Sequence, residues 1–452
     1  MTSPRLFPVA LVLSALIWII ATTGGHQIFI KEVLGDAFDS QAEHFLRGSV
    51  EVDLEAIRPE AMLVGDKVCM YFGPFPALLR IPLNLIYPAG RGAWSRISGF
   101  LAGEIALFAF AGLISSALSA SSLSTRARNW LGGACLIGFV FATPLLFLLG
   151  NLSIYSEAIA WGFAWSLAAL FFAWRSQKAE GRALTLSLLG FSISAACALL
   201  SRVTYGAPLA LIAPVLAIRL VREKRLHLLP ALFLPVIIGV GFHLFLSYAR
   251  FGSFSGISFD HYINPVHREV AHKYGMFNVQ RFPYGIADYF GFRLPTIQPQ
   301  PPFFKVDRHF GNYPPSYSLP FSETYLSVTW ASSWLVAGAI FGVISLLRKT
   351  GVDPFERGAA AMLATQSMFI LCYYTLAQRY STELYPFLIF CFVVYLSAGG
   401  KLLVRTRYLL IALLLVSVII NSLATDSWLA GDLNLPAETR NFWNGIVGNA
   451  PR

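Results

Sequence analysis

Apolar residues in this chain come in long, nearly unbroken runs, with polar residues gathered in short clusters between them. A helix that crosses a bilayer needs about 20 mostly apolar residues. Eleven runs approach that length: 7–23, 98–120, 129–149, 154–174, 184–201, 205–220, 228–248, 326–347, 358–377, 382–398 and 405–424. No heptad, no longer repeat and no low-complexity tract is superimposed on this pattern. The pattern predicts an all-α polytopic membrane protein with about 11 transmembrane helices. Two connections are long, 24–97 and 249–325, and the second holds nine of the chain's 25 prolines. Connections of that length inside a compact protein are usually functional. Residues 1–424 therefore read as one transmembrane domain, and 425–452 as a short tail.

Composition narrows the class further. Of 452 residues, 56% are hydrophobic and 13% charged, about half the charged share of a soluble domain. A soluble globule cannot hide that much apolar surface, and a disordered chain is poor in it. The net charge of +10 resolves by side once the loops are sorted alternately. One set carries 16 basic and 4 acidic residues, the other 18 basic and 20 acidic. By the positive-inside rule the first set is cytoplasmic. The N-terminus is then inside, the C-terminus outside, and both long connections are outer loops. The basic excess thus marks orientation and gives no reason to expect nucleic acid. Arg5 before the first run also suits a signal peptide, but no small-residue cleavage site follows, so a retained anchor is expected. Cysteines at 69, 135, 197, 372 and 391 form neither a disulfide framework nor a zinc site, and read as small buried hydrophobes.

Candidate chemistry lies on the outer side. In the first loop Phe38, Ala42, Phe45 and Leu46 recur on one face of a helix. Asp39, Glu43 and Arg47 follow each other on another face, with Asp36 a turn earlier. An interfacial helix with its Phe/Leu face on the membrane and a carboxylate ladder elsewhere is expected. Such a carboxylate serves as a general base when aimed at a hydroxyl. Asp36 and Asp39 together also offer oxygen ligands to a divalent metal ion, and ordinary i,i+4 pairs on a solvated face are the plain alternative. Further on, Gly73-Pro74 predicts a turn into a short helix at the outer interface. Glu104, Glu157, Arg202, His243 and Arg379 all fall towards the outer ends of spans, where an ionisable group is a functional candidate. Helix dipoles and snorkelling explain each one singly. Taken together, two arginines that oppose the positive-inside bias suit a phosphate. His261, His267 and His272 do not share a helical face and read as substrate contacts or loop residues. No glycine-rich phosphate loop, nucleophile elbow or zinc-protease helix occurs.

Several segments resemble a known family. These are Phe38-Asp-Ser-Gln-Ala-Glu-His-Phe-Leu-Arg-Gly48, Tyr71-Phe-Gly-Pro-Phe-Pro-Ala-Leu-Leu-Arg80, Tyr155-Ser-Glu-Ala158 and Arg379-Tyr-Ser-Thr-Glu-Leu-Tyr-Pro-Phe-Leu388. Together with the layout they resemble the GT-C glycosyltransferases, nearest the bacterial branch related to protein mannosyltransferases and to aminoarabinose and galacturonic acid transferases. The resemblance implies an inverting transferase that uses a polyprenyl-phosphate sugar donor at the outer face of a bacterial cytoplasmic (inner) membrane. Asp39 would match the catalytic aspartate of the first loop, with Asp36 as its rival. Arg379 and Tyr380 would lie near the donor phosphate, with Arg202 a second cation. Glu157 and Tyr155 would hold sugar or acceptor, with Tyr71, Glu43, His261 and Glu383 as further substrate contacts. The short tail leaves no room for a sizeable soluble domain, so a cell-envelope glycan or lipid acceptor is expected rather than a protein. A transporter or flippase is the alternative, but internal repeats and midplane charges are missing. A membrane scaffold would need no convergence of acids and arginines. The discriminating question is whether Asp39, Glu157 and Arg379 line one cavity.

Overall fold

The structure, a computed structural model, describes residues 4–254, 256, 259–306, 321–348, 353–398 and 400–446. Residues 307–320 of the second long connection thus lie outside the described residues. The chain opens with α1 (Phe7–Ala21) and then folds its first long connection as a small layer of its own. That layer holds α2 (Asp36–Leu46), a hairpin of β1 (Met62–Val64) and β2 (Lys67–Cys69), and α3 (Phe75–Ile86). Next come α4 (Ser95–Ala120), α5 (Thr125–Phe141), short α6 (Leu145–Gly150), α7 (Ile154–Ser176), α8 (Gly181–Ser201), α9 (Val203–Arg222) and α10 (Leu229–Phe251). The second long connection contributes α11 (Pro265–Tyr274) and α12 (Phe282–Phe290). The chain continues with α13 (Ser333–Arg348), α14 (Pro354–Leu371), α15 (Tyr385–Ala398), α16 (Gly400–Gly431) and α17 (Ala437–Ile446).

A helix stands at each of the eleven expected positions, and seven of them are long and apolar enough to cross a membrane by length and composition. α7 packs against α4 and α8, and α15 against α13 and α4, so these two form the buried middle of the bundle. α10 leaves Leu234, Ile237, Ile238 and Phe245 more than half exposed, a face suited to lipid. The run expected as one span over 129–149 is broken in two at Thr143-Pro144. Proline has no N–H and crowds the preceding turn, which favours a break at this point. The last span runs on to Gly431, and α17 folds back against it with Trp443 buried.

The amphipathic helix α2 departs from expectation. Its Phe38 and Ala42 are buried against Ala77 of α3 and Ile154 and Ala158 of α7, within the protein rather than on a membrane surface. Two arginines bind this layer to the bundle. Arg96 donates to Glu32 (2.7 Å), Thr23 (2.8 Å) and the Gln27 carbonyl (2.8 Å), and also to Thr439 of α17 (2.9 Å). Arg80 reaches both α2 and α7 as described below. Gly73 explains the turn before α3. A Cβ there would stand 2.2 Å from the Leu200 carbonyl oxygen and 2.3 Å from that of Ser201, at the end of α8.

Candidate active site

A cavity of about 1790 Å³ opens where the two long connections meet the ends of α7, α8, α9 and α10. It is larger than the few hundred to a thousand Å³ of an ordinary small-molecule site. It has a polar chamber and an apolar branch. The branch runs between α9, α10 and α14, lined by Ala207, Pro208, Leu211, Leu246, Thr365 and Phe369. Leu211 and Phe369 of this branch are more than half exposed. Leu211 lies nine residues into α9 from Arg202, a depth of about 13 Å along a helix.

Three arginines face the chamber. Arg379 makes a two-pronged ion pair with Glu323, its Nη2 2.6 Å from Oε1 and its Nη1 on Oε2. Glu323 is held there because its N–H donates to the Leu376 carbonyl (2.9 Å), next to a short parallel pairing of 321–322 with 375–376. The Arg379 guanidinium also lies 4.6 Å from the Tyr155 ring and 5.0 Å from the Tyr380 ring. Arg202 Nε donates to Glu383 at 2.6 Å and its guanidinium lies 5.2 Å from the same Tyr380 ring. Arg250, at the end of α10, differs from both. It is 5% exposed; Nη1 donates to the Phe72 carbonyl (3.1 Å), while Nε and Nη2 have no hydrogen-bond partner. Those two nitrogens form one edge of the guanidinium fork, the geometry that takes two phosphate oxygens.

A further carboxylate of the chamber is Glu60, at the end of a short turn before β1. Tyr71 (2.7 Å) and Tyr262 (2.5 Å) donate to Oε2, and Tyr155 (2.5 Å) to Oε1. Burial and the neighbouring Glu60 carboxylate push the Tyr71 and Tyr262 hydroxyls up, so both phenols keep their protons and donate. His267 lies on the same wall, with Nδ1 3.2 Å from the Tyr374 hydroxyl. Burial holds its imidazole below the usual range, against a smaller upward pull from Glu60.

Arg379, Arg202, Tyr380, Tyr155, Tyr71 and Glu383 therefore line the cavity, whereas Asp39, Asp36, Glu157, Glu43 and His261 do not. Asp39 is fully buried: Asn84 donates to Oδ1 (2.8 Å), and Arg80 Nε lies 3.4 Å from Oδ2. Burial raises its carboxyl, with Arg80 and Asn84 pulling the other way. Arg80 spans on to Glu157 at 2.6 Å, and Ser98 donates to the same Oε1 at 2.5 Å. Enclosed in this way, Asp39 and Glu157 offer no surface to an acceptor; they brace α2, α3 and α7 behind the chamber wall. The expectation that Asp39, Glu157 and Arg379 share one cavity is met by Arg379 alone. The carboxylate ladder on α2 also divides, because each member finds its own cation. Asp36 is half-buried beside Lys31 (3.1 Å), and Glu43 pairs with Arg91 (2.9 Å). Asp36 and Asp39 thus pair with different cations. Among the described residues no three His, Cys, Asp or Glu side chains gather where a metal ion could sit.

Sequence reasoning did not single out Arg250 or Glu60. For Arg250 the signal was present: it is a third arginine at a span end in the set of loops whose charges sum to slightly negative. For Glu60 there was none, since its three tyrosines lie 11, 95 and 202 residues away.

No family model matches the chain, and no curated protein does. Two solved structures are similar to it over most of its length. One is the crystal structure of ArnT from Cupriavidus metallidurans bound to undecaprenyl phosphate, at 12% identity, 97% of this chain, 84% of that one, and a TM-score of 0.49. The other is ArnT from the same organism in the apo state, at 13% identity, the same coverage and a TM-score of 0.38.

Proposed function

We propose that the protein transfers a monosaccharide from a polyprenyl-phosphate carrier to a hydroxyl of a cell-envelope glycan or lipid, at the outer face of a bacterial cytoplasmic membrane. The observation that carries this reading is a single cavity that joins an unpaired, buried guanidinium to an apolar branch whose Leu211 and Phe369 are more than half exposed. Such a site suits a ligand that is anionic at one end and hydrocarbon at the other. In this reading the Arg250 side chain, whose Nε and Nη2 are buried without a partner, turns towards the cavity to take two oxygens of the phosphate, and the prenyl chain follows the branch past Leu211 and Phe369. Arg379 and Arg202 are each paired with a glutamate, so they shape the chamber and add potential without spending a free charge. As the bond to the sugar breaks, negative charge grows on the departing phosphate, and a preorganised cation there stabilises it. Polyprenyl phosphate leaves readily as an anion, so no general acid is needed.

The test is to incubate the purified protein with a panel of polyprenyl-phosphate sugars and follow release of the lipid phosphate. Arg250→Gln is expected to weaken polyprenyl-phosphate binding by about a hundredfold or more, the lower end of the range for two hydrogen bonds to a charged group. Failure of the native protein to release lipid phosphate from any donor sinks the reading. Unchanged binding by Arg250→Gln removes its phosphate site.

A further inference from the structure

We propose that Glu60 is the group that takes the proton from the acceptor hydroxyl. This rests on the glycosyl-transfer reading above. Three phenols from three separate parts of the chain converge on this carboxylate: Tyr71 from the first long connection, Tyr155 from the start of α7, and Tyr262 from the second long connection. Local structure does not require that convergence. It fixes a half-buried carboxylate in one orientation inside the cavity. A carboxylate has about four lone-pair positions; two on Oε2 are taken and one on Oε1, leaving one on Oε1 for a fourth donor. A substrate hydroxyl is such a donor.

The surroundings of Glu60 bring it to the donor end of the cavity. The Tyr155 ring that gives its hydroxyl to Glu60 carries the Arg379 guanidinium 4.6 Å from its centre. The hairpin that follows Glu60 ends at Cys69, whose Sγ contacts the Arg250 carbonyl (3.9 Å). Met62 of the same hairpin bridges to Tyr262. The carboxylate is thus tied to Arg379 through Tyr155 and to the end of α10 that carries Arg250 through the hairpin. The acceptor oxygen forms a bond to the anomeric carbon from the side opposite the phosphate. The bond from that carbon to the phosphate oxygen breaks, and its electron pair stays on the lipid phosphate. The acceptor proton passes to Oε1 of Glu60, which later returns it to water. The lipid phosphate gains one negative charge as Glu60 loses one.

The experiment compares kcat and KM of the native protein, Glu60→Gln and Glu60→Asp with an active polyprenyl-phosphate sugar, alongside binding of polyprenyl phosphate alone. Glu60→Gln should lose kcat by about a hundredfold or more, the usual contribution of a positioned base. Its KM for the donor and its affinity for polyprenyl phosphate should stay within threefold of native, with Glu60→Asp recovering part of kcat. Retention of kcat within threefold by Glu60→Gln, while the native protein transfers sugar, overturns the proposal. So does a Glu60→Gln variant that loses lipid-phosphate binding together with turnover, since the carboxylate is then a support for the chamber. Loss of turnover in Asp39→Asn with Glu60→Gln still active returns the role to Asp39. A native protein that transfers no sugar fails the broader reading instead, and that result is separate from all of these.

Discussion

At the scale of single residues, pairing decides which charges are available to a ligand. Arg202, Arg250 and Arg379 all stand at span ends in the sequence, yet Arg202 and Arg379 are paired with Glu383 and Glu323, whereas Arg250 has no carboxylate partner and keeps two buried guanidinium nitrogens without a hydrogen bond. The same holds among acids: Asp39 is enclosed by Arg80 and Asn84, whereas Glu60 is held only by neutral phenols and faces the cavity. His267 adds a pH dependence at this scale. Burial lowers its folded pKa below the free value, so its neutral form is favoured by folding. Its contribution is complete above about pH 6.5 and is lost as pH falls through the folded value. The melting temperature should therefore drop less between pH 7.5 and 5.5 in His267→Gln than in the native protein. An equal drop in both would show that another group sets the acid limit.

At the scale of elements, the small layer of the first long connection depends on a few contacts with the bundle. Arg80 of α3 bridges α2 through Asp39 and α7 through Glu157, all with fully buried side chains. Removing one partner of a buried ion pair costs about 3–5 kcal/mol, because the opposite charges stay buried and uncompensated. Arg80→Ala should show a loss of this size in denaturation measured in detergent; a loss under 1 kcal/mol would mean that the brace is not needed. Gly73→Ala tests the close approach of the turn to α8. A methyl group 2.2 Å from a backbone oxygen forces the chain to move, and overpacking of this kind costs about 1–3 kcal/mol. Wild-type stability in that variant would show that the turn can shift freely. Both changes act on the layer that carries Glu60, Tyr71 and Phe72, so lower activity is expected to accompany lower stability.

At the scale of the whole molecule, the distribution of lysine and arginine sets an expected orientation, which labelling can test. In a cysteine-free background, Lys273→Cys on α11 should react with a membrane-impermeant thiol reagent added to intact cells. Lys178→Cys, between α7 and α8, should react only after the membrane is opened. The reverse pattern would put the cavity on the cytoplasmic side and exclude an outer-face reaction.

The helical bundle was legible in the sequence because hydrocarbon imposes a length and a composition on every crossing helix, and those constraints are local. A helix stands where each apolar run predicts one, and the break at Thr143-Pro144 is the kind of detail that a run of hydropathy conceals but proline chemistry explains. Arg379, Arg202 and Tyr380 could be picked out because charged and aromatic residues at span ends are conspicuous against an apolar background. The tertiary structure alone settled which of these groups share a chamber. Asp39 stands in a polar segment that looks exposed along the chain, yet Arg80, 41 residues later, provides the counter-charge that allows it to be buried. Glu60 is one unremarkable acid among several until Tyr155 and Tyr262 arrive from distant segments. Burial and pairing are sums over neighbours far apart in the chain, and no reading of adjacent residues contains them.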